Sequence, residues 1–127
     1  MMADTIPPLR VAIGEDNTDL ADVLAMLLDL QSDMQCVGHA DTSEALQVLA
    51  DTALPDAFVI DLRLRDGPAL PLLRRLRATR PDCLLVAFTG DAHPVLESAC
   101  LEAGCDALVR KDGRPLAVIE TLRRLRR

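Results

Sequence analysis

A chain of 127 residues fits one domain and can bury a core without disulfide or metal staples. Hydrophobic residues make up 50% of it and aromatics only 2%, so that core is built from Leu, Val, Ile and Ala. A formal net charge of −6 argues against wholesale contact with a nucleic-acid backbone, and no apolar stretch reaches the ~20 residues that span a membrane.

Residues 1–8 lack the basic start and apolar stretch of a secretion signal and read as a disordered tail, leaving 9–127 as the domain in a cytoplasmic setting. Beyond the tail, apolar runs alternate with segments of helical period, the pattern of β-α repeats around a parallel sheet. Leu9 to Gly14 reads as the first strand. A helix follows from about Asp19, where Leu20, Val23, Leu24, Leu27 and Leu28 recur at helical spacing. Gln35 to His39 is a weaker strand, and Thr42 or Ser43 can cap the next helix, with Ala45, Leu46 and Leu49 inward. Asp56 to Asp61 is the third strand. Residues 62–68 form a loop with turn chemistry at Asp66-Gly67.

Leu72, Leu73 and Leu76 then mark a helix ending before Pro81, and Cys83 to Phe88 is the fourth strand. Val95, Leu96, Ala99, Cys100 and Ala103 supply another stripe, with Gly104 placed to end that helix. Asp106 to Arg110 is the fifth strand. The last helix runs from about Pro115 to Arg126, with Leu116, Ile119 and Leu122 inward. Right-handed crossovers and the need to cover both sheet faces predict a doubly wound α/β fold, a five-stranded parallel sheet of order 2-1-3-4-5. The four cysteines, Cys36, Cys83, Cys100 and Cys105, contain no CxxC pair, and neither His39 nor His93 stands at zinc-finger spacing from them. They read as small buried thiols in a reducing compartment.

Four polar features each follow one of these apolar runs: Glu15-Asp16, Asp61, Thr89, and Lys111, the chain's only lysine. Open α/β sheets place their chemistry just beyond the carboxyl ends of the strands, and the switch point of this order falls between strands one and three. Glu15, Asp16 and Asp61 therefore converge. Three carboxylates at one edge repel one another, and Mg²⁺, which prefers oxygen ligands, neutralises them directly. Asp16 and Asp61 are the expected direct ligands, with Glu15 acting through water or holding the geometry. The backbone carbonyl of Arg63 is a further expected ligand, since the loop turns back over the site. Asp61 is then the nucleophile toward a phosphoryl group, while the Lys111 ammonium and Thr89 hydroxyl take phosphoryl oxygens. Each feature alone is ordinary, because an acidic pair often caps a helix and a threonine after a strand is common. Their joint occurrence, in order, favours a phosphoacceptor.

This set resembles the receiver domain of two-component response regulators, and the resemblance runs from about Leu9 to Arg126. That family has an acidic pair after strand one, a phosphoacceptor Asp after strand three, Thr or Ser after strand four and Lys after strand five. The resemblance implies a flavodoxin-like fold with five helices, and Mg²⁺-dependent phosphotransfer to Asp61 from a histidine kinase or phosphotransfer protein, with self-catalysed dephosphorylation. It also implies output through helix four, strand five and helix five. That surface carries Glu97, Glu102, Asp106, Arg110, Arg114 and Arg123 and suits a downstream protein target or a homodimer.

The chain departs from the family pattern at four positions. Leu108 stands where an aromatic ring usually precedes the lysine by three, so coupling is expected to be weaker or differently wired. Asp112 replaces the proline whose cis bond usually follows the lysine. A non-proline cis bond costs about 2.5–4 kcal/mol, so a trans bond is expected. Arg65 and Ala69 replace a usual proline and glycine after Asp61, which predicts a looser loop or an arginine reaching the site entrance. Arg63 and Asp91, two positions beyond Asp61 and Thr89, flank the path of an attacking water.

No effector segment follows the last helix, so a stand-alone receiver or one separated from an output domain is expected. Arg123, Arg124, Arg126 and Arg127 suit a helix C-terminus better than DNA contact. Two other readings remain. A haloacid-dehalogenase-type phosphatase would want an acid at position 63, where Arg63 stands. A phosphorylation-independent pseudo-receiver would keep the fold as a binding module.

Overall fold

Period-two alternation on the central strands decides the layering. In the computed structural model, which describes residues 6–90 and 93–126, the four residues Ala57–Ile60 are all buried. Ala57 and Val59 enter one core layer, and Phe58 and Ile60 the other. A strand apolar on both sides must be covered by helices on both sides. The strands are β1 (Leu9–Gly14), β2 (Met34–Ala40), β3 (Ala57–Ile60), β4 (Arg63–Leu64), β5 (Gly67–Pro68), β6 (Leu84–Thr89) and β7 (Ala107–Arg110). The helices are α1 (Thr18–Asp29), α2 (Ser43–Ala53), α3 (Leu70–Thr79), α4 (Pro94–Glu102) and α5 (Leu116–Leu125). Five strands form one parallel sheet in the order β2-β1-β3-β6-β7, and β4 and β5 form a separate antiparallel hairpin. This is the doubly wound, flavodoxin-like 2-1-3-4-5 arrangement expected from the sequence.

One layer packs Leu24 and Leu28 of α1 and Val118, Ile119 and Leu122 of α5 against Val11, Ile13, Val86 and Phe88. The other packs Leu46 of α2, Leu72, Leu73 and Leu76 of α3 and Cys100 of α4 against Phe58, Ile60, Leu85 and Ala87. Close approach of α2 to β1 depends on Gly14, where a Cβ would lie 2.6 Å from Leu46 Cδ2. Among the described residues, no helix is long and apolar enough to cross a membrane.

Several expected inward positions face solvent instead. Val23, Ala45, Val95 and Leu116 are exposed, while Ala21, Ala50 and Val118 are buried. The cause is angular: at 100° per residue, Val95 lies about 140° around α4 from Cys100, and Leu116 about 160° around α5 from Val118. A sequence stripe drawn with generous width includes such edge positions. Helix α1 also begins one residue before the expected start, because Asn17 caps it by accepting the Leu20 N–H at 3.1 Å. Thr42 caps α2 through the Ala45 N–H.

The segment after Asp61 is not loose, and its Arg65 does not reach the site entrance. It folds as the β4–β5 hairpin, closed by Ala69 N–H to the Leu62 carbonyl at 2.9 Å, with Leu62 and Leu64 buried. Arg65 is drawn away by Asp41, pairing side chain to side chain at 3.2 Å and donating its N–H to the Asp41 carbonyl. No described peptide bond is cis, so Lys111–Asp112 is trans as expected. Three thiols are buried and Cys36 is half-buried. Asp91, Arg127 and the first five residues of the expected tail lie outside the described residues. Pro7, near the tail's end, is touched by Arg126, whose guanidinium donates to its carbonyl at 2.6 Å.

Candidate functional site

The carboxyl ends of β1 and β3 are continued by backbone bonds that set the acidic residues side by side. Glu15 donates its N–H to Ala40 at 2.9 Å, and Asp61 donates its N–H to the Gly14 carbonyl at 2.8 Å. One carboxylate oxygen from each of Glu15, Asp16 and Asp61 lies within 4.8 Å of the others. Asp16 is exposed, Asp61 is buried at the mouth, and Glu15 is only 1% exposed.

Lys111 reaches this group because its N–H donates to the Thr89 carbonyl at 2.9 Å, which carries the β6–β7 pairing past the strand end. Its ammonium stands 2.7 Å from Glu15 Oε1 and 2.8 Å from Asp61 Oδ2, and 5.6 Å from the centre of the Phe88 ring. Burial alone would lower the Lys111 pKa, but the hydrogen bonds to Asp61 and Glu15 hold it above the ordinary value. Burial pushes the Glu15 pKa up, and neither Lys111 nor the Asn17 N–H fully offsets it. Asp61 Oδ1 accepts the Arg63 N–H at 3.2 Å, while the Arg63 side chain is exposed.

Thr89 is buried and lines, with Asp61 and Arg63, a cleft of about 580 Å³ walled by Leu62, Pro68, Leu70 and Leu96. Depressions around Arg80 and around Pro8 and Arg126 lie at the opposite end of the sheet and contain none of these groups. Three carboxylates against one ammonium leave local negative charge, and their hard oxygen donors fit a divalent cation.

The structure therefore brings Glu15, Asp16, Asp61 and Lys111 together, puts Thr89 in the same cleft, and sets Arg63 beside Asp61 through its backbone. Two supporting residues escaped sequence reasoning. Asn17 holds Glu15 Oε2 through its N–H at 3.1 Å, and its cap-forming chemistry just before a helix was the available signal. Asp66 fixes the hairpin by accepting the Ser43 and Glu44 N–H groups at the start of α2, at 2.9 and 3.3 Å. Its partners are more than twenty positions away, and no local pattern announces them. Leu108 faces Ala87 across the β6–β7 pairing and packs on the α2–α3–α4 layer.

Residues 11–123 match the response regulator receiver domain family. The methanol utilization control regulatory protein MoxX of Paracoccus denitrificans is 25% identical over 93% of this chain and 53% of its own length. The DNA-binding transcriptional activator DevR/DosR of Mycobacterium tuberculosis is 31% identical over 82% of this chain and 48% of its own. The chain thus spans about half the length of these relatives. The signal receiver domain of NarL from Mycobacterium tuberculosis superposes with a TM-score of 0.87 at 19% identity, covering 94% of this chain and 97% of that one.

Proposed function

The chain belongs to the response regulator receiver domain family of two-component systems, and from that premise we propose that it accepts a phosphoryl group on Asp61. The observation that carries this reading is the single ammonium of Lys111 held between Glu15 and Asp61, beside the exposed carboxylate of Asp16. Asp16, Asp61 and the Arg63 carbonyl would hold Mg²⁺, with Glu15 fixing the geometry. When bound, the ion supplies positive charge for a phosphoryl oxygen.

The protein's own groups do the rest. The donor is a phosphohistidine of a histidine kinase or phosphotransfer protein. The Asp61 carboxylate attacks its phosphorus, an O–P bond forms as the N–P bond breaks, and the imidazole keeps the electron pair and takes a proton. Lys111, already 2.8 Å from Asp61, follows one phosphoryl oxygen, and the Thr89 hydroxyl follows another. Water later attacks the acyl phosphate and regenerates Asp61. Thr89 ends β6 and Lys111 follows β7, so their displacement shifts the population of α4, β7 and α5 arrangements. That face would meet a downstream target, a second copy, or an output domain of the kind its longer relatives have room for. The setting proposed is cytoplasmic.

Incubation with Mg²⁺ and acetyl phosphate, read by intact mass, tests this. One phosphoryl group per chain is expected, absent with EDTA and absent in Asp61→Asn. Steady turnover of unrelated phosphomonoesters would replace this reading with a phosphatase. No adduct despite Mg²⁺ binding would replace it with a pseudo-receiver.

A further inference from the structure

Helix α4 ends in a turn that forces two cysteines together. Gly104 adopts φ +110° and donates its N–H to the Leu101 carbonyl at 3.0 Å, while Cys105 donates its N–H to the Cys100 carbonyl at 3.2 Å. This nested pair of bonds is the Schellman arrangement, which apposes the side chains three residues before and two after the helix cap. Those positions usually carry an apolar contact, and here they carry Cys100 and Cys105. Their sulfurs lie 2.6 Å apart, little more than half an ångström beyond a disulfide bond of about 2.05 Å. The turn is braced from outside. Arg77 Nε donates to the Gly104 carbonyl at 3.0 Å, and a Cβ at Gly104 would meet the Arg77 side chain at 2.7 Å. Among the described residues, no other pair of thiols is joined by a hydrogen bond.

We propose that Cys100 and Cys105 are a peroxide-sensitive dithiol whose oxidation forms an intrachain disulfide, stapling the last turn of α4 to the start of β7. The hydrogen bond between the two sulfurs draws Cys100 below the usual thiol pKa and pushes Cys105 above it, so the pair gives up its first proton from Cys100. The Cys100 thiolate attacks hydrogen peroxide, the O–O bond breaks, and a sulfenic acid and water result. Cys105 then attacks Cys100 Sγ; the S–S bond forms, the S–O bond breaks, and the departing hydroxide takes the Cys105 proton. The sum converts two thiols and one H₂O₂ to one disulfide and two waters, with two electrons passing from sulfur to oxygen. Both sulfurs are shielded, at 0% and 7% residue exposure. Access comes from opening of α4, whose Cys100 is its one buried residue between Pro94 and Glu102.

The test uses the full chain with Cys36→Ser and Cys83→Ser, leaving only this pair. Native protein is treated with hydrogen peroxide, quenched, unfolded, alkylated with iodoacetamide and weighed. The expected product has lost two hydrogens, takes no alkyl group, and takes two after dithiothreitol. At one peroxide concentration the ratio of disulfide to sulfinic acid should be about tenfold higher in the native state than in guanidinium-unfolded chain, because the fold holds Cys105 against the oxidised Cys100. Adding Cys100→Ser or Cys105→Ala should abolish the protected species, two different replacements guarding against a folding defect in either one. Two free thiols after peroxide, sulfinic acid without a disulfide, or equal disulfide-to-sulfinic ratios in native and unfolded chains would overturn the proposal. The readout needs neither Mg²⁺ nor phosphoryl transfer, so it stands or falls apart from the Asp61 reading.

Discussion

Around β1 and β3, each segment that reaches the acidic cluster is fixed more than once. Asn17 caps α1 and holds Glu15, Thr42 and Asp66 both cap α2, and Asp41 anchors the hairpin through Arg65. Around α4 the packing is sparse. Cys100 alone is buried within the helix, and Val95 and Leu101 stand 70% and 51% exposed. Three buried leucines anchor α3 on the same sheet face. One small sheet thus holds its charges on backbone fixed at several points and carries beside them a helix with little burial to lose. Carboxylates and an ammonium keep useful geometry only when their backbones cannot relax, whereas a population shift needs an element with little burial to lose.

The contrast can be broken by mutation. Phe58→Ala, in the fully buried centre of β3, should cost about 3–5 kcal/mol in denaturant unfolding. Gly14→Ala should cost about 1–3 kcal/mol, since the new methyl meets a Leu46 side chain that is itself buried. Asp66→Ala should lower the thermal midpoint by a smaller amount. The Ser43 N–H, with help from Glu44, holds Asp66 below its ordinary pKa of 3.8. Its contribution is therefore complete above that value and lost as pH falls through the lower folded-state pKa. Wild type and Asp66→Ala should converge in stability in strong acid.

Glu15→Gln should raise the midpoint slightly in metal-free protein. A carboxylate whose folded-state pKa is raised favours folding at low pH and loses that benefit as pH rises through the raised value, so the neutral amide removes a cost at pH 7. The same substitution should weaken Mg²⁺ binding measured by calorimetry. Val95→Ala should change stability by less than about 0.5 kcal/mol. Hydrogen exchange should find α4 amides opening before those of α2; equal protection would erase the distinction between the two regions.

Much of this was legible in the chain. Strands buried on both faces read as unbroken apolar runs, so the cores Val11–Ile13, Phe58–Ile60 and Leu85–Phe88 are legible, while the bounds of β3 and β6 differ by one residue at each end and Thr89 closes β6 from within. Helix rotation was read less well, because a residue 100° from the stripe's centre looks apolar in sequence whether it is buried, like Ala21, or exposed, like Ala45. The Cys100–Cys105 contact was hidden by its spacing. Without a CxxC pair, only the left-handed Gly104 turn shows that the two sulfurs meet.

Order along the chain, then, determined the strand sequence, the helix count and the row of acidic, hydroxyl and ammonium groups behind the strands, because period and run length are local properties. Only folding decided that Lys111 lies between Glu15 and Asp61, that Asp66 caps a helix starting over twenty residues earlier, and that Arg65 turns from the cleft to Asp41. Those are choices among partners distant in sequence, and they are set by distances of about 3 Å that exist only once the sheet has closed.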